Sequence, residues 1–286
     1  MTCRHPALLP YLPGVDAGLA EALAGLGFET ATPSWDDAEV DWSTFDLIVL
    51  RTPWDASYVP DAFLAWVRRC AAVRPVWNRP TVVAWNIHKR YLLDLQLAGV
   101  PIVPTVLCEA GSNVTLQSLM HRLGSQDVVV KPAIDAGGER LMAVTATNTA
   151  AGEQHLAELL GTGDVLIQPF LDSVLSAGEL SIVGLNGDIR YGVRKRPAAG
   201  EVRIHPEYGG RVEEVPLTTD LRHLASQALA VVKFDWLYAR VDLLLADDGS
   251  WVVGELEMIE PDLYLRFVPD AANLVAAAIL ERVENR

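Results

Sequence analysis

Apolar positions in the first part of the chain follow two periods, one typical of helices and one typical of buried strands. Residues 16–26 and Pro60–Val73 have apolar positions at helical spacing, whereas residues 45–50 form a short, mostly apolar run. Alternating helices and strands are typical of a parallel α/β layer. We therefore predict a small N-terminal α/β domain over residues 1–85, in which the prolines of residues 1–13 weaken the expected opening strand.

The central part of the chain, residues 86–170, has the mixed periodicity of an α+β subdomain. Gly99 and Pro101 end its first helical pattern. Helical patterns occupy residues 87–97, 114–123 and 150–160, and strand patterns occupy residues 100–107, 127–131, 140–145 and Val165–Pro169.

The last part, residues 171–286, has the pattern of a second α+β subdomain. Two strand patterns, residues 180–185 and 189–196, flank Asn186-Gly187-Asp188, which is a strong hairpin signal. After a helical pattern at residues 219–232 comes a second hairpin, Tyr238–Leu245 with Trp251–Glu257. A helical pattern at residues 271–283 follows.

Composition and charge narrow the class of protein. With 286 residues the chain can bury a substantial core, and its formal net charge of -14 disfavours nonspecific nucleic-acid binding, which needs cationic groups. Its apolar stretches are too short to span a membrane, and no signal-peptide pattern is present. The three cysteines are scattered and odd in number, which disfavours a disulfide framework or a zinc site. We expect a cytoplasmic enzyme with no nucleic-acid or membrane partner.

An acidic cluster is predicted at the second hairpin. Asp242 interrupts an otherwise apolar strand, and Glu255 and Glu257 lie two residues apart on the facing strand, so that they share one face. Hard carboxylate oxygens suit Mg²⁺, which binds a few carboxylates together with water and substrate phosphates. The alternative is a solvated strand face with ordinary surface carboxylates.

Lys131 ends a predicted buried strand and is followed by a loop with two adjacent glycines, Gly137 and Gly138. An ammonium group next to free backbone N–H groups can bind phosphates. The order of residues is neither that of a Walker A loop nor that of a Rossmann fingerprint. An ordinary β-turn is the alternative interpretation.

Residues 168–171 leave another predicted strand, and Glu179 follows shortly afterwards. The backbone at a strand exit can bind the edge of an adenine ring, and a carboxylate can accept hydrogen bonds from ribose hydroxyls. A linker between domains would have the same pattern.

In this order, and with Lys89 preceding them, these motifs resemble the ATP-grasp superfamily. The resemblance implies a fold of α/β and α+β units, with an N-terminal parallel α/β domain (1–85) and two α+β subdomains (86–170 and 171–286) that sandwich ATP. It implies that Lys89, Lys131, Gly137 and Gly138 surround the phosphates, that Gln168, Pro169, Phe170 and Leu171 contact adenine, and that Glu179 contacts ribose. Asp242, Glu255 and Glu257 would bind Mg²⁺, with Mn²⁺ as an alternative, although Glu257 stands where the superfamily often has asparagine.

Residues 191–210 resemble the substrate-proximal segment of the glutathione synthetase and ribosomal S6 modification branch. By this resemblance Arg203 is a catalytic cation near the transferred phosphoryl group, and Arg240, on the face of Asp242, is a second candidate beside Lys131. The residues expected near the substrate are Arg51, Lys195, His205, Tyr208, Gly209 and Gly210, and residues 260–265 would close the other side. In the alternative interpretation the basic residues merely offset neighbouring acids.

The resemblance implies an ADP-forming ligase that phosphorylates an oxygen of a small, amino-acid-like substrate, after which a nitrogen attacks. Residues 49–55, 205–210 and 255–261 resemble a bacterial group that includes D-cycloserine synthetase, which closes a ring within O-ureido-D-serine. An intermolecular amino-acid or peptide ligase and a non-catalytic nucleotide-binding module are the alternatives. Similar enzymes are often dimers, so a homodimer is expected.

Overall fold

The N-terminal unit contains a parallel pair of two-residue strands with helices packed around it. The computed structural model of the chain describes residues 14–138, 140–198 and 209–284. The elements of this unit are α1 (Leu19–Gly25), β1 (Ile48–Val49), α2 (Pro60–Val73), β2 (Val76–Trp77) and α3 (Pro80–Asn86), with 3-10 helices at Trp42–Thr44 and Trp54–Tyr58. β1 pairs with β2 in parallel. The helix predicted at residues 60–73 is confirmed, whereas the strand predicted at residues 45–50 is shorter.

The central unit is a four-stranded antiparallel sheet with helices on one face. Its strands have the order β3-β6-β4-β5, and Val106, Leu116, Val128 and Leu156 belong to a common core. The elements are α4 (Tyr91–Leu97), β3 (Val106–Cys108), α5 (Leu116–Leu123), β4 (Val128–Pro132), β5 (Met142–Val144), α6 (Thr149–Leu160) and β6 (Val165–Pro169).

Two predictions in the central unit differ from the structure. The helix predicted at residues 87–97 begins only at Tyr91, after α3 has ended at Asn86. The strand predicted at residues 100–107 joins the sheet only from Val106 onwards. Pro101 and Pro104 lack the N–H group that a sheet ladder needs, so the segment before β3 forms only a bridge, from Ile102 to Val253.

The C-terminal unit is a five-stranded antiparallel sheet with the strand order β11-β10-β7-β8-β9. The turn between β7 and β8 has Asn186 and Gly187 at φ 50° and 94°, as the hairpin signal requires. The elements are α7 (Ser173–Ser176), β7 (Glu179–Leu185), β8 (Asp188–Arg196), β9 (Arg211–Val215), α8 (Thr219–Ala230), β10 (Tyr238–Leu245), β11 (Trp251–Glu257) and α9 (Ala271–Glu284).

Both faces of the five-stranded sheet are covered by apolar side chains. Ile182 and Val241 share one core with Leu224 of α8 and Leu92 of α4. A separate core contains residues of β7, β8 and β10 together with α9 and the segment after β11. The inner strands β7 and β10 are therefore buried, and a polar side chain on them needs a partner.

Asn78 joins the N-terminal unit to this sheet. Its side chain is fully buried, donates to the carbonyl oxygens of Tyr238 and Met258 at 2.7 Å each, and accepts from the N–H group of Leu237 at 2.6 Å. The ends of β10 and β11 are thereby fixed against the N-terminal unit.

Candidate active site

A cavity of about 320 Å³ is lined by the four-stranded sheet, by the five-stranded sheet and by the N-terminal unit. Lys131 of β4, Gln168 of β6 and Asp242 of β10 project into its lining, and Trp54 lines it from the N-terminal unit. Lys195, predicted near the substrate, and Arg240, predicted as a catalytic cation, line the cavity. All the residues predicted for the nucleotide and the metal also line it: Lys89, Lys131, Gly137, Gly138, Gln168, Pro169, Phe170, Leu171, Glu179, Asp242, Glu255 and Glu257.

The three acidic residues lie where the predicted hairpin register puts them. Asp242 pairs with Glu255 across β10 and β11, and Arg240 pairs with Glu257. Asp242 is only 3% exposed and accepts a hydrogen bond from Ser181 Oγ at 2.5 Å. The alternative interpretation, a solvated strand face, does not fit this burial.

Arg240 connects the acidic residues to each other. Its Nε and Nη2 atoms donate to the Asp242 carboxylate at 2.8–3.1 Å, and Nη2 also pairs with Glu257. Its Nη1 atom donates to the carbonyl oxygen of Asp262 at 3.2 Å, and its guanidinium lies 5.5 Å from the ring centroid of Tyr264. Arg240 thus offsets the additional negative charge that Glu257 brings in place of asparagine.

The pKa values of Asp242 and Glu257 are shifted in opposite directions. Burial by itself opposes ionisation of Asp242, but the charges of Arg240 and Lys195 hold its pKa well below its usual range. Burial raises the pKa of Glu257 to about 8, and the charges of Asp242 and Glu255 act in the same direction. Asp242 therefore stays ionised over a wider pH range than Glu257 does.

Two lysines face the acidic residues from the central unit. Lys89 Nζ lies 2.8 Å from Glu255 and donates to the carbonyl oxygen of Asp135 at 2.7 Å. Burial lowers the pKa of Lys131, although the charge of Glu255 acts against this shift. Within the described residues, Lys131 has no carboxylate oxygen within 4 Å. Its ammonium group is therefore available for an anion.

Lys195 and Glu179 form an ion pair in the wall of the cavity. Lys195 is 1% exposed, contacts Glu179, and lies 3.7 Å from Asp242. Burial raises the pKa of Glu179 to about 7 although Lys195 opposes the shift. In this structure the residue predicted for the ribose and a residue predicted for the substrate bind each other.

The predicted adenine segment leaves β6 along one wall of the cavity. Gln168 Nε2 donates to Thr105 Oγ1 at 2.9 Å, and the N–H group of Phe170 donates to the carbonyl oxygen of Asp127 at 2.9 Å. The glycine loop lies in the same lining, with Gly137 and Gly138 at φ 69° and 65°, a region that favours glycine.

Some residues predicted near the substrate are not in the cavity lining. Arg51 binds Asp16 at 2.8 Å and the carbonyl oxygen of Pro261 at 3.2 Å, so its buried charge is already paired. Gly209 and Gly210, which immediately precede β9, are also absent from the lining. Arg203, His205 and Tyr208 lie outside the described residues, so that their roles stay predictions.

Other lining residues were missed by the sequence analysis. The 3-10 helix after Arg51 places Trp54, Ser57 and Tyr58 at the cavity. A signal for them is present in the sequence, because Arg51, which is expected near the substrate, precedes Trp54 by only three residues. Glu260, Asp262 and Tyr264 line the cavity from the segment predicted to close it.

The part of the chain that the structure describes contains neither a preformed cluster of metal ligands nor a membrane-spanning helix. No group of three or more His, Cys, Asp or Glu side chains there has the mutual spacing of a metal site. The same part contains no helix that is long and apolar enough to cross a membrane.

Comparison with known proteins gives matches over nearly the whole chain. Residues 1–78 match the sequence model of the N-terminal domain of D-cycloserine synthetase DcsG, and residues 99–244 match that of the ATP-grasp domain of prokaryotic glutathione synthetase. The chain is 31% identical to the cycloserine biosynthesis protein DcsG of Streptomyces lavendulae over 279 residues, which cover 93% of each protein.

Solved structures agree with these sequence matches. The crystal structure of D-cycloserine synthetase DcsG superimposes with a TM-score of 0.86 at 30% identity, covering 95% of this chain and 96% of that one. The ATP-grasp ligase PsnB, solved with a minimal precursor, Mg and ADP, superimposes with a TM-score of 0.63 at 16% identity, covering 93% and 94% of the two chains. The second likeness concerns the fold alone.

Proposed function

The chain belongs to the ATP-grasp ligases, in the family of D-cycloserine synthetase DcsG, and we therefore propose that it closes a ring within O-ureido-D-serine. In this reaction ATP and Mg²⁺ are used, ADP and phosphate are released, and the product is D-cycloserine. The substrate is a small amino acid rather than a protein or a nucleic acid.

One observation carries the choice of substrate. The N-terminal unit contributes Trp54, Ser57 and Tyr58 to the cavity that the predicted phosphate-binding residues also line. These three residues lie within residues 1–78, which match the DcsG N-terminal domain, whereas the match to the glutathione synthetase ATP-grasp domain covers residues 99–244. The wall that would select the acceptor is thus the part of the chain that is related to DcsG.

For ATP, the proposal assigns the phosphates to Lys89, Lys131 and the glycine loop, and adenine to residues 168–171. Lys131 supports this assignment because its ammonium group, in the described residues, has no carboxylate partner. Glu179 would accept hydrogen bonds from the ribose after its ion pair with Lys195 opens.

The donor set fits Mg²⁺ when the ion is completed by phosphate oxygens. Asp242, Glu255 and Glu257 offer hard oxygen atoms on neighbouring strands, and Mg²⁺ in nucleotide sites takes one or two carboxylates together with phosphates and water. A protein cluster of three close ligands is therefore not required. When bound, Mg²⁺ would neutralise charge on the transferred phosphoryl group.

The proposed reaction has three covalent steps, the last of which consumes one water molecule. A carboxylate oxygen of the substrate takes the terminal phosphoryl group of ATP, giving an acylphosphate and ADP. The ureido nitrogen attached to oxygen then attacks the carbonyl carbon and loses its proton, and phosphate leaves. Hydrolysis of the remaining carbamoyl group, as carbon dioxide and ammonia, gives D-cycloserine.

The residues of the cavity would act by position and charge rather than as nucleophiles. Lys131 and Arg240 would hold the phosphoryl group and the carboxylates around it, and Arg203 is the further cation expected there. Aromatic walls from Trp54 and Tyr264 would exclude water from the acylphosphate.

The test is release of ADP and phosphate from Mg-ATP with and without O-ureido-D-serine, with products identified by mass. We expect release only with the ureido compound, together with the mass of D-cycloserine. Release that requires two amino acids would instead establish an intermolecular ligase. ATP binding without turnover on a broad amine and carboxylate panel would establish a non-catalytic module.

A Lys131→Met change is expected to weaken ATP binding about 10- to 100-fold, the equivalent of one charge-assisted hydrogen bond. The affinity is measured by calorimetry with Mg-ATP. Lys233→Met, at an exposed position outside the cavity lining, is the matched control and should leave the affinity unchanged. Equal affinities for the wild type and Lys131→Met would remove Lys131 from the phosphate site.

A further inference from the structure

The carboxylates that line the cavity differ in whether a Lys or Arg side chain forms an ion pair with them. All but one have a Lys or Arg nitrogen within the 4 Å of an ion pair. These paired carboxylates are Asp135 with Arg140, Glu179 with Lys195, Asp242 and Glu257 with Arg240, Glu255 with Lys89, and Asp262 with Arg266. Glu260 has no such partner among the described residues.

The backbone around Glu260 is anchored on both sides. Trp54 Nε1 donates to the carbonyl oxygen of Glu260 at 2.9 Å. Two residues later, the carbonyl oxygen of Asp262 accepts from Arg240 Nη1 at 3.2 Å. The first contact fixes Glu260 against the N-terminal unit, and the second fixes its segment against the acidic residues. Glu260 therefore lies between Trp54 of the N-terminal unit and the residues that are predicted to surround the transferred phosphoryl group.

An unpaired carboxylate that is half-buried is costly, since burial penalises the charged form. Burial raises the pKa of Glu260 to about 7, although the charge of Lys89 acts against the shift. A cationic ligand would remove this penalty by supplying the missing charge. Trp54 and Tyr58 of the N-terminal unit line the same cavity and add aromatic surfaces, which attract cations.

We infer that Glu260 binds the ammonium group of the amino-acid substrate. This inference rests on the proposed function, because it names the group by which the same cavity would recognise its acceptor. It makes the cavity selective for α-amino acids over carboxylic acids that lack an amine.

The geometry of an α-amino acid agrees with this position. Its nitrogen and its carboxyl carbon are separated by two bonds, about 2.5 Å. A group that binds the ammonium must therefore lie close to the place where the carboxylate is phosphorylated. Glu260 follows Glu257, at the end of β11, by only three residues and lines the same cavity.

The experiment compares O-ureido-D-serine with 3-(ureidooxy)propanoic acid, which lacks only the amino group. Calorimetry with Mg²⁺ and a non-hydrolysable ATP analogue gives the dissociation constants for the wild type and for Glu260→Gln. We expect Glu260→Gln to weaken binding of the amino compound about 10- to 100-fold and to leave binding of the other compound within about twofold. The affinity for the ATP analogue should not change.

Two further variants separate a binding role from a structural one. Glu260→Asp keeps the charge on a shorter side chain and should retain part of the selectivity. Glu109→Gln, at an exposed position outside the cavity lining, should behave as the wild type. Equal losses of affinity for both compounds in Glu260→Gln, or no loss for either, would overturn the inference.

Failure of the ring-closing reaction can be told apart from failure of this inference. If the wild type uses a different α-amino acid, the same comparison is made with that acid and its counterpart without the amine. Loss of selectivity in Glu260→Gln would then support the ammonium site while the proposed substrate falls. Failure of every α-amino acid to bind the wild type would contradict both.

Discussion

Replacing Glu255 by glutamine is expected to slow substrate-dependent ADP release on the order of 10²- to 10³-fold. Glu255 faces Asp242 across the hairpin and holds Lys89 at 2.8 Å, so the change removes a proposed Mg²⁺ ligand and the partner of a proposed phosphate-binding lysine. The rate is measured at saturating ATP and over a range of Mg²⁺ concentrations. Partial recovery of the rate at high Mg²⁺ would indicate that metal affinity was the property lost.

The matched control for this change is Glu214→Gln. Glu214 also lies on a strand of the five-stranded sheet, but it is exposed on β9 and absent from the cavity lining. Its variant should turn over as the wild type does. A Glu255→Gln protein with the same rate as this control would remove Glu255 from the catalytic site.

Replacing Asp242 by asparagine is expected to lower the free energy of unfolding by about 3–5 kcal/mol, besides abolishing turnover. The Asp242 carboxylate accepts two hydrogen bonds from Arg240 Nε and one from its Nη2 atom, and it lies 3.7 Å from Lys195. A neutral amide would leave both buried cations short of negative charge. Equilibrium unfolding in urea measures the change.

An exposed aspartate in the turn of the same hairpin provides the control. Asp247→Asn should change the free energy of unfolding by less than about 0.5 kcal/mol, as surface substitutions usually do. If Asp242→Asn were as stable as this control, Arg240 and Lys195 would not depend on Asp242, and the carboxylate would serve the metal alone.

Arg240 is the counterion of the additional carboxylate of Glu257. Glu257 adds a negative charge where related enzymes often have asparagine, which puts the metal affinity in doubt. In the structure Arg240 contacts both Asp242 and Glu257, so that the additional charge has its own counterion. The positions of Arg240 and Glu257 are paired in the hairpin register, and the two residues are best regarded as a unit.

Parts of the fold and of the candidate site follow from local sequence. The boundaries of β10, β11, β6 and α2 agree with the predicted ones, because alternation, apolar spacing and turn residues act over a few positions. Once the second hairpin is known, period-two geometry brings Asp242, Glu255 and Glu257 together. The pairing of Glu179 with Lys195 also belongs to a hairpin that the sequence predicts.

Only the tertiary structure determines which partners the charged residues have. Arg51 stands at a strand end that favours ligand binding, yet its charge is taken by Asp16, 35 residues earlier in the chain. Glu260 resembles any other loop carboxylate in the sequence, and only the positions of the charged side chains in the described residues show that none of their Lys or Arg groups pairs with it. Local periodicity specifies which face a side chain is on, but ion pairing depends on distances and burial between segments that are far apart in sequence.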